Sequence, residues 1–192
     1  MFRGKRDFSL EMHKRRSIRL KGYDYSQIGA YFTTICIQNR QCLLGDILDG
    51  KMYLNHGGEM VKSVWMNLPH RFDHIILDEF VVMPNHIHGI IIIHCRGESC
   101  IRPNSSRGDH KDRPYGTEPD SIGRVVQAFK SITTNKYIWG VQESKWPAFP
   151  DSLWQRNYYE HIIRDENELH NIREYVANNP TNWAEDEENP YK

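Results

Sequence analysis

Four stretches of the chain carry the apolar pattern of β-strands. The first is Ala30–Arg40, which alternates and is rich in β-branched and aromatic residues. The second and third are HIILDEFVVM and HIHGIIIIH, and the Pro-Asn pair between them predicts an antiparallel hairpin. The fourth is SLWQRNYYEHIIR, which precedes the last helical pattern.

Helical spacing, with apolar residues three or four positions apart, recurs in three other stretches. The first covers residues 58–72, and Pro69 marks its predicted end. The second begins with Ser121 as a predicted N-cap, and the third begins after Asp165 and ends before Pro180. Between the first strand and the first helix, Gly and Asp residues predict a loop or a short hairpin.

The predicted order is β-α-β-β-α-β followed by one more helix. This order is typical of an α+β, ferredoxin-like split βαβ fold, in which an antiparallel sheet carries helices on one face. We predict one domain over residues 25–182, interrupted by a long mobile loop at 96–120 that is rich in Gly, Pro, Ser and charged residues.

Charge is unevenly distributed, although the formal net charge of the chain is +0. Residues 1–24 hold eight lysines and arginines against three acids, a net charge of +5. Residues 165–192 hold eight acids against two basic residues, a net charge of −6. We predict a basic arm at 1–24 and a polar, frayed acidic tail at 183–192. Such an arm is either a solvated tail or a phosphate-binding segment, and charge alone leaves both open.

Composition excludes several classes of protein. No apolar stretch approaches the roughly 20 residues that span a bilayer. The charged N-terminus lacks the apolar core of a signal peptide, so we expect a cytoplasmic protein. The four cysteines do not form paired Cys-x-x-Cys motifs, which argues against a structural zinc site and predicts reduced thiols.

His86 and His88 lie within the apolar run FVVMPNHIHGIIIIH. Residues two apart on a strand face the same way, so the imidazoles project side by side while Ile87 points to the opposite layer. Buried imidazoles cost free energy unless they are paired, hydrogen-bonded or bound to a metal ion. A His-x-His pair also arises by chance, but the apolar flanks favour a metal site.

Tyr175 and Asn179 lie one turn apart on the last predicted helix, with Asn171 and Asn178 near the same face. An amide oxygen can bind a hard metal ion, and a tyrosine beside it can act as a nucleophile. The alternative is that Tyr175 packs in the core and that the asparagines form a helix end. This segment alone favours that alternative.

Three motifs occur in order along the chain, MPNHIHGI, LWQRNYYEHIIR and IREYVANNP, after an N-terminal RRSIRLKGYDYSQIGAYFTTICIQNR. Together they closely resemble the single-tyrosine HUH transposases of insertion-sequence type, and most nearly the branch of REP-associated tyrosine transposases. The resemblance runs from about Arg15 to Pro180. It implies a ferredoxin-like fold with the histidine strand central and an extra C-terminal helix that carries the tyrosine.

The resemblance also implies an activity. Members of this family cut single-stranded DNA at or beside hairpins, and a helical tyrosine becomes linked to the 5′ phosphate while a 3′ hydroxyl is freed. Carried over residue by residue, Tyr175 would be the nucleophile, and a divalent metal ion would be held by His86, His88 and Asn179. Insertion-sequence relatives often carry Gln at the last of these positions. The family uses Mg or Mn, and imidazole ligands suit Mn at least as well as Mg.

Other tyrosines and basic residues complete the expectation. Tyr158 and Tyr159 are alternative nucleophiles, but they fall on a predicted strand. Stacking on unpaired bases and contacts to phosphates would involve a larger set: Arg15, Arg16, Arg19, Lys21, Tyr23, Tyr25, Lys130, Trp154, Arg156 and Arg164. His161 is a weaker candidate for the site.

The resulting hypothesis is a metal-dependent DNA strand transferase that acts on single-stranded or hairpin DNA. One alternative is a domesticated relative that binds hairpin DNA without moving it. Another is a metal-dependent hydrolase of a different substrate. Within the family, insertion-sequence enzymes exchange the tyrosine helix between two subunits and the REP-associated branch acts as monomers, so both a monomer and a homodimer stay open.

Overall fold

The structure is a computed structural model that describes residues 23–94 and 120–192. Its strands are β1 Gly29–Cys36, β2 Gly45–Leu48, β3 Lys51–Leu54, β4 Ile75–Val82, β5 His86–Ile93 and β6 Tyr159–Ile163. Its helices are α1 His56–Met66, α2 Leu68–Arg71, α3 Ile122–Ser144 and α4 Glu166–Asn178.

The main sheet has four strands in the order β4-β5-β1-β6, and each neighbouring pair is antiparallel. This is the strand order of the ferredoxin-like split βαβ fold, so the predicted fold class is confirmed. β5 has a partner strand on either side, which confirms the central place of the histidine strand. β2 and β3 form a separate hairpin where a loop or short hairpin was predicted.

One face of the main sheet carries the larger core, which α1 and α3 cover. Ile87 and Ile91 of β5 belong to this core together with Trp65 of α1 and Phe129 of α3. Gly89 lies between the two isoleucines, where a Cβ atom would come within 2.3 Å of the Trp65 ring. The glycine is needed here because it lets the indole lie directly on the strand backbone.

The opposite face carries a smaller core, which α4 covers. Phe32 of β1 and Ile90 of β5 pack there against Val176 of α4. The even-numbered residues of β5, the two histidines included, face this side because side chains alternate along a strand. Helices therefore lie on both faces of the sheet, whereas the predicted split βαβ pattern places them on one.

Three predicted boundaries differ from the structure. β1 ends earlier than predicted, at Cys36, because the chain then turns through a 3₁₀ segment at Gln38–Arg40. Pro69 does not end α1; it lies in the first turn of α2, where its missing N–H is not needed. The last strand is shorter than predicted, and its paired part is Tyr159–Ile163.

Both predicted helix N-caps are present. The Ser121 hydroxyl accepts from a backbone N–H of α3 at 3.3 Å, and the Asp165 carboxylate accepts from one of α4 at 2.8 Å. α4 ends at Asn178, before Pro180 as predicted. The start and end of the tyrosine helix are therefore encoded locally.

The C-terminal segment 183–192 folds back onto the domain, whereas a frayed tail was predicted. It turns through a 3₁₀ helix at Trp183–Glu185, and Asn189 is 9% exposed. The Glu188 carboxylate lies 3.0 Å from Nε of Arg40, and the Glu188 backbone carbonyl accepts from the Asn85 amide at 2.7 Å. These contacts bring the acidic end of the chain to the beginning of β5.

Some predictions fall outside the described residues. The basic arm 1–24 is described only at Tyr23 and Asp24, and the loop 96–120 only at Asp120.

Cys36 and Cys42 are free thiols. Among the residues placed in the structure, no helix combines the length and the apolar character needed to cross a membrane.

Candidate active site

The two histidines of β5 meet at their Nε2 atoms, which lie 3.0 Å apart. His86 is 0% exposed and His88 is 3% exposed, because β5 is flanked by β1 and β4 and its histidine face is covered by α4. The rings cross at a steep angle, with centroids 4.5 Å apart. The two Nε2 atoms therefore converge on one point of the buried sheet face.

Each imidazole is held from its other nitrogen. Nδ1 of His86 lies 2.8 Å from Oδ1 of Asn85, and Nδ1 of His88 lies 2.8 Å from Oγ1 of Thr34. Thr34 is the β1 residue paired with His88 across the sheet, so the strand register supplies this contact. Phe32 stacks on the His88 ring at 5.4 Å. Outer contacts of this kind orient histidine ligands in metal sites.

The C-terminal segment brings a carboxylate to the pair. Asp186 Oδ2 lies 4.0 Å from Nε2 of His86, and its side chain is 7% exposed. One ligand atom from each of His86, His88 and Asp186 lies within 4.8 Å of the others. The Trp183 ring of the same segment lies 6.1 Å from the His86 ring.

Sequence reasoning did not identify Asp186 as a site residue. It stands in a run of four acids with no spacing that distinguishes one from the next. Its role depends on the return of the chain after α4, which no local pattern encodes. The available signal was the unusual acidic run close after the predicted tyrosine helix.

The donor set fits a divalent cation. Metal bonds of about 2.1 Å place neighbouring ligands of an octahedral ion about 3.0 Å apart, which matches the Nε2–Nε2 distance. Two imidazoles and one carboxylate suit Mn and other transition ions, and the carboxylate also suits Mg. Asn179, the other predicted ligand, is 2% exposed, and its Oδ1 has no hydrogen-bond partner among the described residues. Buried carbonyl oxygens nearly always have a partner. The Oδ1 of Asn179 therefore fits an atom whose partner is a metal ion.

Tyr175 lies beside the histidine pair. Its hydroxyl oxygen is 3.4 Å from Nε2 of His88, and its ring meets the His88 ring edge to face at 5.3 Å. Burial raises the pKa of the Tyr175 phenol well above its usual range, and the nearby Asp186 carboxylate raises it further. The Asn179 amide partly offsets this pKa shift. The phenol is therefore protonated at neutral pH, and a cation beside it would favour the phenolate.

The other tyrosines near β6 have different partners. The Tyr158 hydroxyl donates to the Glu160 carboxylate at 2.6 Å. The Tyr159 ring packs edge-on against Phe32, with centroids 6.3 Å apart. Tyr175 is thus the tyrosine that the described structure places against His88.

Of the residues predicted to bind DNA, four lie outside the described part of the chain: Arg15, Arg16, Arg19 and Lys21. Arg156 and Arg164 lie on either side of β6, and both are exposed. Their guanidinium groups are available to phosphates, and their predicted role stays a prediction.

Lys130 and Trp154 form intramolecular hydrogen bonds that stabilise the fold. Lys130 Nζ donates to three backbone carbonyls in residues 155–157, at 2.8, 3.3 and 2.9 Å, and burial lowers its pKa to about 8. Trp154 is 3% exposed, and its indole N–H donates to Thr133 at 2.8 Å. The structure does not support base stacking by Trp154, because its ring is already enclosed in the core.

Tyr23, Tyr25 and His161 also have intramolecular contacts. The Tyr23 ring meets the Tyr25 ring at 4.9 Å, and Tyr25 is buried. His161 lies 2.8 Å from the Glu168 carboxylate near the start of α4. It therefore joins β6 to α4 and is not placed with the histidine pair.

Comparison with known proteins finds relatives both in sequence and in structure. A Haemophilus influenzae protein of uncharacterized function is 44% identical over 181 residues, covering 94% of this chain and 96% of the relative. The chain belongs to the same family as that protein. No protein-family model matches the present chain.

Among solved structures, the chain is similar to a REP-associated tyrosine transposase bound to a REP hairpin. It has a TM-score of 0.53 and 18% identity, and the match covers 82% of this chain and 70% of the transposase. The chain has a single-tyrosine HUH transposase-like fold. Within this HUH fold, the histidine pair of β5 and Tyr175 of α4 lie on facing elements of the smaller core.

Proposed function

We propose that the chain is a metal-dependent DNA strand transferase of the single-tyrosine HUH type. It cuts single-stranded or hairpin DNA through a 5′-phosphotyrosine intermediate and rejoins the strand elsewhere. The observation that carries this proposal is the 3.4 Å approach of the Tyr175 hydroxyl to Nε2 of His88, across 87 positions of sequence. This contact supports the proposal, because it puts a candidate nucleophile next to a candidate metal ligand.

In this proposal His86, His88 and Asp186 hold a divalent cation, Mg or Mn, and Asn179 offers a fourth ligand atom. When bound, the cation polarises a non-bridging phosphate oxygen and offsets the charge that develops on it. The chain supplies the orientation: Asn85 and Thr34 hold the imidazoles from behind, and α4 keeps water from the buried side of the pair.

Tyr175 carries the covalent step. Its oxygen attacks the phosphorus, the new O–P bond forms, and the bond from phosphorus to the 3′ oxygen breaks. The phenolic proton is lost to solvent and the departing 3′ oxygen takes one up, so a free 3′ hydroxyl and a 5′-phosphotyrosine result. The covalent bond conserves the energy of the phosphodiester, and a second 3′ hydroxyl can therefore reverse the step at a new position.

The DNA partner is proposed from charge and from the structural neighbour. That neighbour was solved with a REP hairpin bound. In this chain, Arg156 and Arg164 are exposed on either side of β6, and the basic arm 1–24 carries a net charge of +5. Such groups bind the phosphate backbone of many sequences, and the binding weakens as salt increases.

The test is incubation of the full chain with single-stranded hairpin oligonucleotides and Mg or Mn, followed by denaturing electrophoresis. We expect a covalent protein–DNA adduct from the wild type and none from Tyr175→Phe. Tyr158→Phe and Tyr159→Phe are the matched controls and should both form the adduct. Equal adduct from the wild type and Tyr175→Phe would exclude Tyr175 as the nucleophile.

A second variant separates chemistry from recognition. His86→Ala should lose the adduct and keep its affinity for the hairpin, because the metal ligands do not read the DNA. If the wild type binds hairpins tightly but forms no adduct with either metal, the chain is a hairpin-binding relative without transfer activity.

A further inference from the structure

Asn85 makes contacts that fix the orientation of its side-chain amide. Its Nδ2 lies 3.0 Å from the backbone carbonyl of Arg40 and 2.7 Å from that of Glu188. A carbonyl oxygen only accepts hydrogen bonds, so the group that faces both carbonyls must be the NH₂ of the amide. The reverse orientation would place three oxygens against one another in a residue that is 0% exposed.

This orientation determines the protonation of His86. The remaining amide atom, Oδ1, lies 2.8 Å from Nδ1 of His86 and can only accept. Nδ1 must therefore carry the hydrogen, and in the neutral ring Nε2 carries the lone pair. That lone pair points towards Nε2 of His88, at 3.0 Å.

His88 is held by a different kind of group. Its Nδ1 lies 2.8 Å from the Thr34 hydroxyl, which can either donate or accept. Without a cation, the Nε2–H of His88 can donate to Nε2 of His86 while the hydroxyl donates to Nδ1. With a cation, the hydrogen sits on Nδ1 and is donated to the hydroxyl. The ring stays neutral in both states, because one proton leaves Nε2 and one joins Nδ1 by exchange with water.

We propose that Asn85 is a positioning residue that keeps His86 permanently in the tautomer that accepts a metal ion and links this state to docking of the C-terminal segment. The link is the Glu188 carbonyl, since one amide group holds both the segment and the His86 ring. The same segment carries Asp186, so its docking delivers the carboxylate and fixes the imidazole together. This inference rests on the metal-binding part of the proposed function.

The direct test is ¹⁵N NMR of the histidine rings in the full chain, without DNA. In the wild type we expect His86 to be protonated at Nδ1 both without metal and with saturating Mg. His88 should change from Nε2–H to Nδ1–H when Mg is added. In Asn85→Ala, His86 should populate the Nε2–H tautomer in the metal-free protein. An unchanged His86 tautomer in Asn85→Ala would overturn the proposal.

Asn85→Asp separates the two contacts. A carboxylate still accepts from Nδ1 of His86, but it cannot donate to the carbonyls of Arg40 and Glu188. We expect the His86 tautomer to be retained and amide hydrogen exchange in residues 183–189 to become faster than in the wild type. Unchanged exchange there would show that Asn85 does not hold the segment.

Calorimetric titration with Mn alone gives the affinity. Loss of an outer contact to a metal ligand typically weakens binding about 10–100-fold, and we expect this for Asn85→Ala. The matched control is Asn55→Ala, which removes the α1 N-cap that accepts from Gly58 N. It should lower the melting temperature without changing the Mn affinity or the His86 tautomer.

The outcomes distinguish the two proposals. If the wild type does not bind Mn or Mg, the metal part of the proposed function fails, while the metal-free NMR comparison still decides the role of Asn85. If the wild type binds Mn and Asn85→Ala binds it equally well, the positioning role is wrong and the proposed function stands.

Discussion

Arg173 holds α4 on strand β4 through two hydrogen bonds to Asp78, at 2.7 Å from Nε and 2.6 Å from Nη2. Asp78 lies at the register shift between Leu77 and Phe80, where the β4 edge is irregular. Arg173 precedes Tyr175 by two residues on the same helix, so this paired contact helps to set where the phenol lies. Bidentate pairs of this kind fix geometry as well as adding energy.

We expect Arg173→Ala to lower the free energy of unfolding by about 1 kcal/mol, because the pair is partly exposed. The adduct yield should fall as well, because α4 loses its two hydrogen bonds to β4 and positions Tyr175 less firmly. Chemical denaturation and the adduct assay measure the two effects. Arg173→Lys should recover only part of the yield, because an ammonium cannot form the two parallel hydrogen bonds.

The same pair predicts a dependence of stability on pH. The Arg173 hydrogen bond holds the pKa of the Asp78 carboxyl below its usual value. A lowered folded pKa stabilises the protein above the unfolded pKa, which is about 4, and this contribution is lost as the pH falls through the folded value. The difference in unfolding free energy between the wild type and Asp78→Asn should therefore be constant near neutral pH and become smaller in acid.

The buried phenol predicts how the reaction depends on pH. Because the pKa of Tyr175 is raised, the phenolate fraction increases with pH throughout the neutral range. The initial rate of adduct formation should rise from about pH 6 to about pH 8, by up to about tenfold per unit if the phenolate is the reacting form. A flat profile would mean that deprotonation of Tyr175 does not limit the rate.

Asp186→Asn tests the proposed role of Asp186 as the third metal ligand. Losing a direct ligand should weaken Mn binding by at least the roughly tenfold expected for the loss of an outer contact. Glu187→Gln is the matched control, since it removes a charge from the exposed neighbouring position. If both variants lose the same affinity, the effect is general electrostatics and not coordination by Asp186.

Gly89→Ala tests the packing behind the histidine strand. The added methyl would meet the Trp65 ring at 2.3 Å, so we expect a loss of about 1–3 kcal/mol in unfolding free energy. Trp65→Leu removes the ring and leaves room for the methyl. The cost of Gly89→Ala should be much smaller in the Trp65→Leu background, and equal costs in a double-mutant cycle would contradict the clash.

The sequence contained the parts of the site that depend on local periodicity. His86 and His88 share a face because strands have a period of two, and Tyr175 and Asn179 share a helical face because one turn separates them. The fold class followed from the order of the predicted elements along the chain.

The parts that were missed depend on contacts between distant segments. Asp186 joins the site only because the chain returns after α4. Trp154 directly precedes the polar run at 155–157, but a bridge between Trp154 and Ile37 and the hydroxyl of Thr133 hold it in the core. Local propensity carries no information on such pairings, and tertiary packing decides them.

Because α4 packs on the sheet of its own chain, one copy carries the histidines, the carboxylate and the tyrosine together. The formation of adduct should then be first order in protein, and the rate per molecule should not change when the protein is diluted at saturating DNA. A rate per molecule that falls on dilution would indicate that two copies exchange their tyrosine helices. The fold therefore predicts that one molecule of protein is sufficient for each cut.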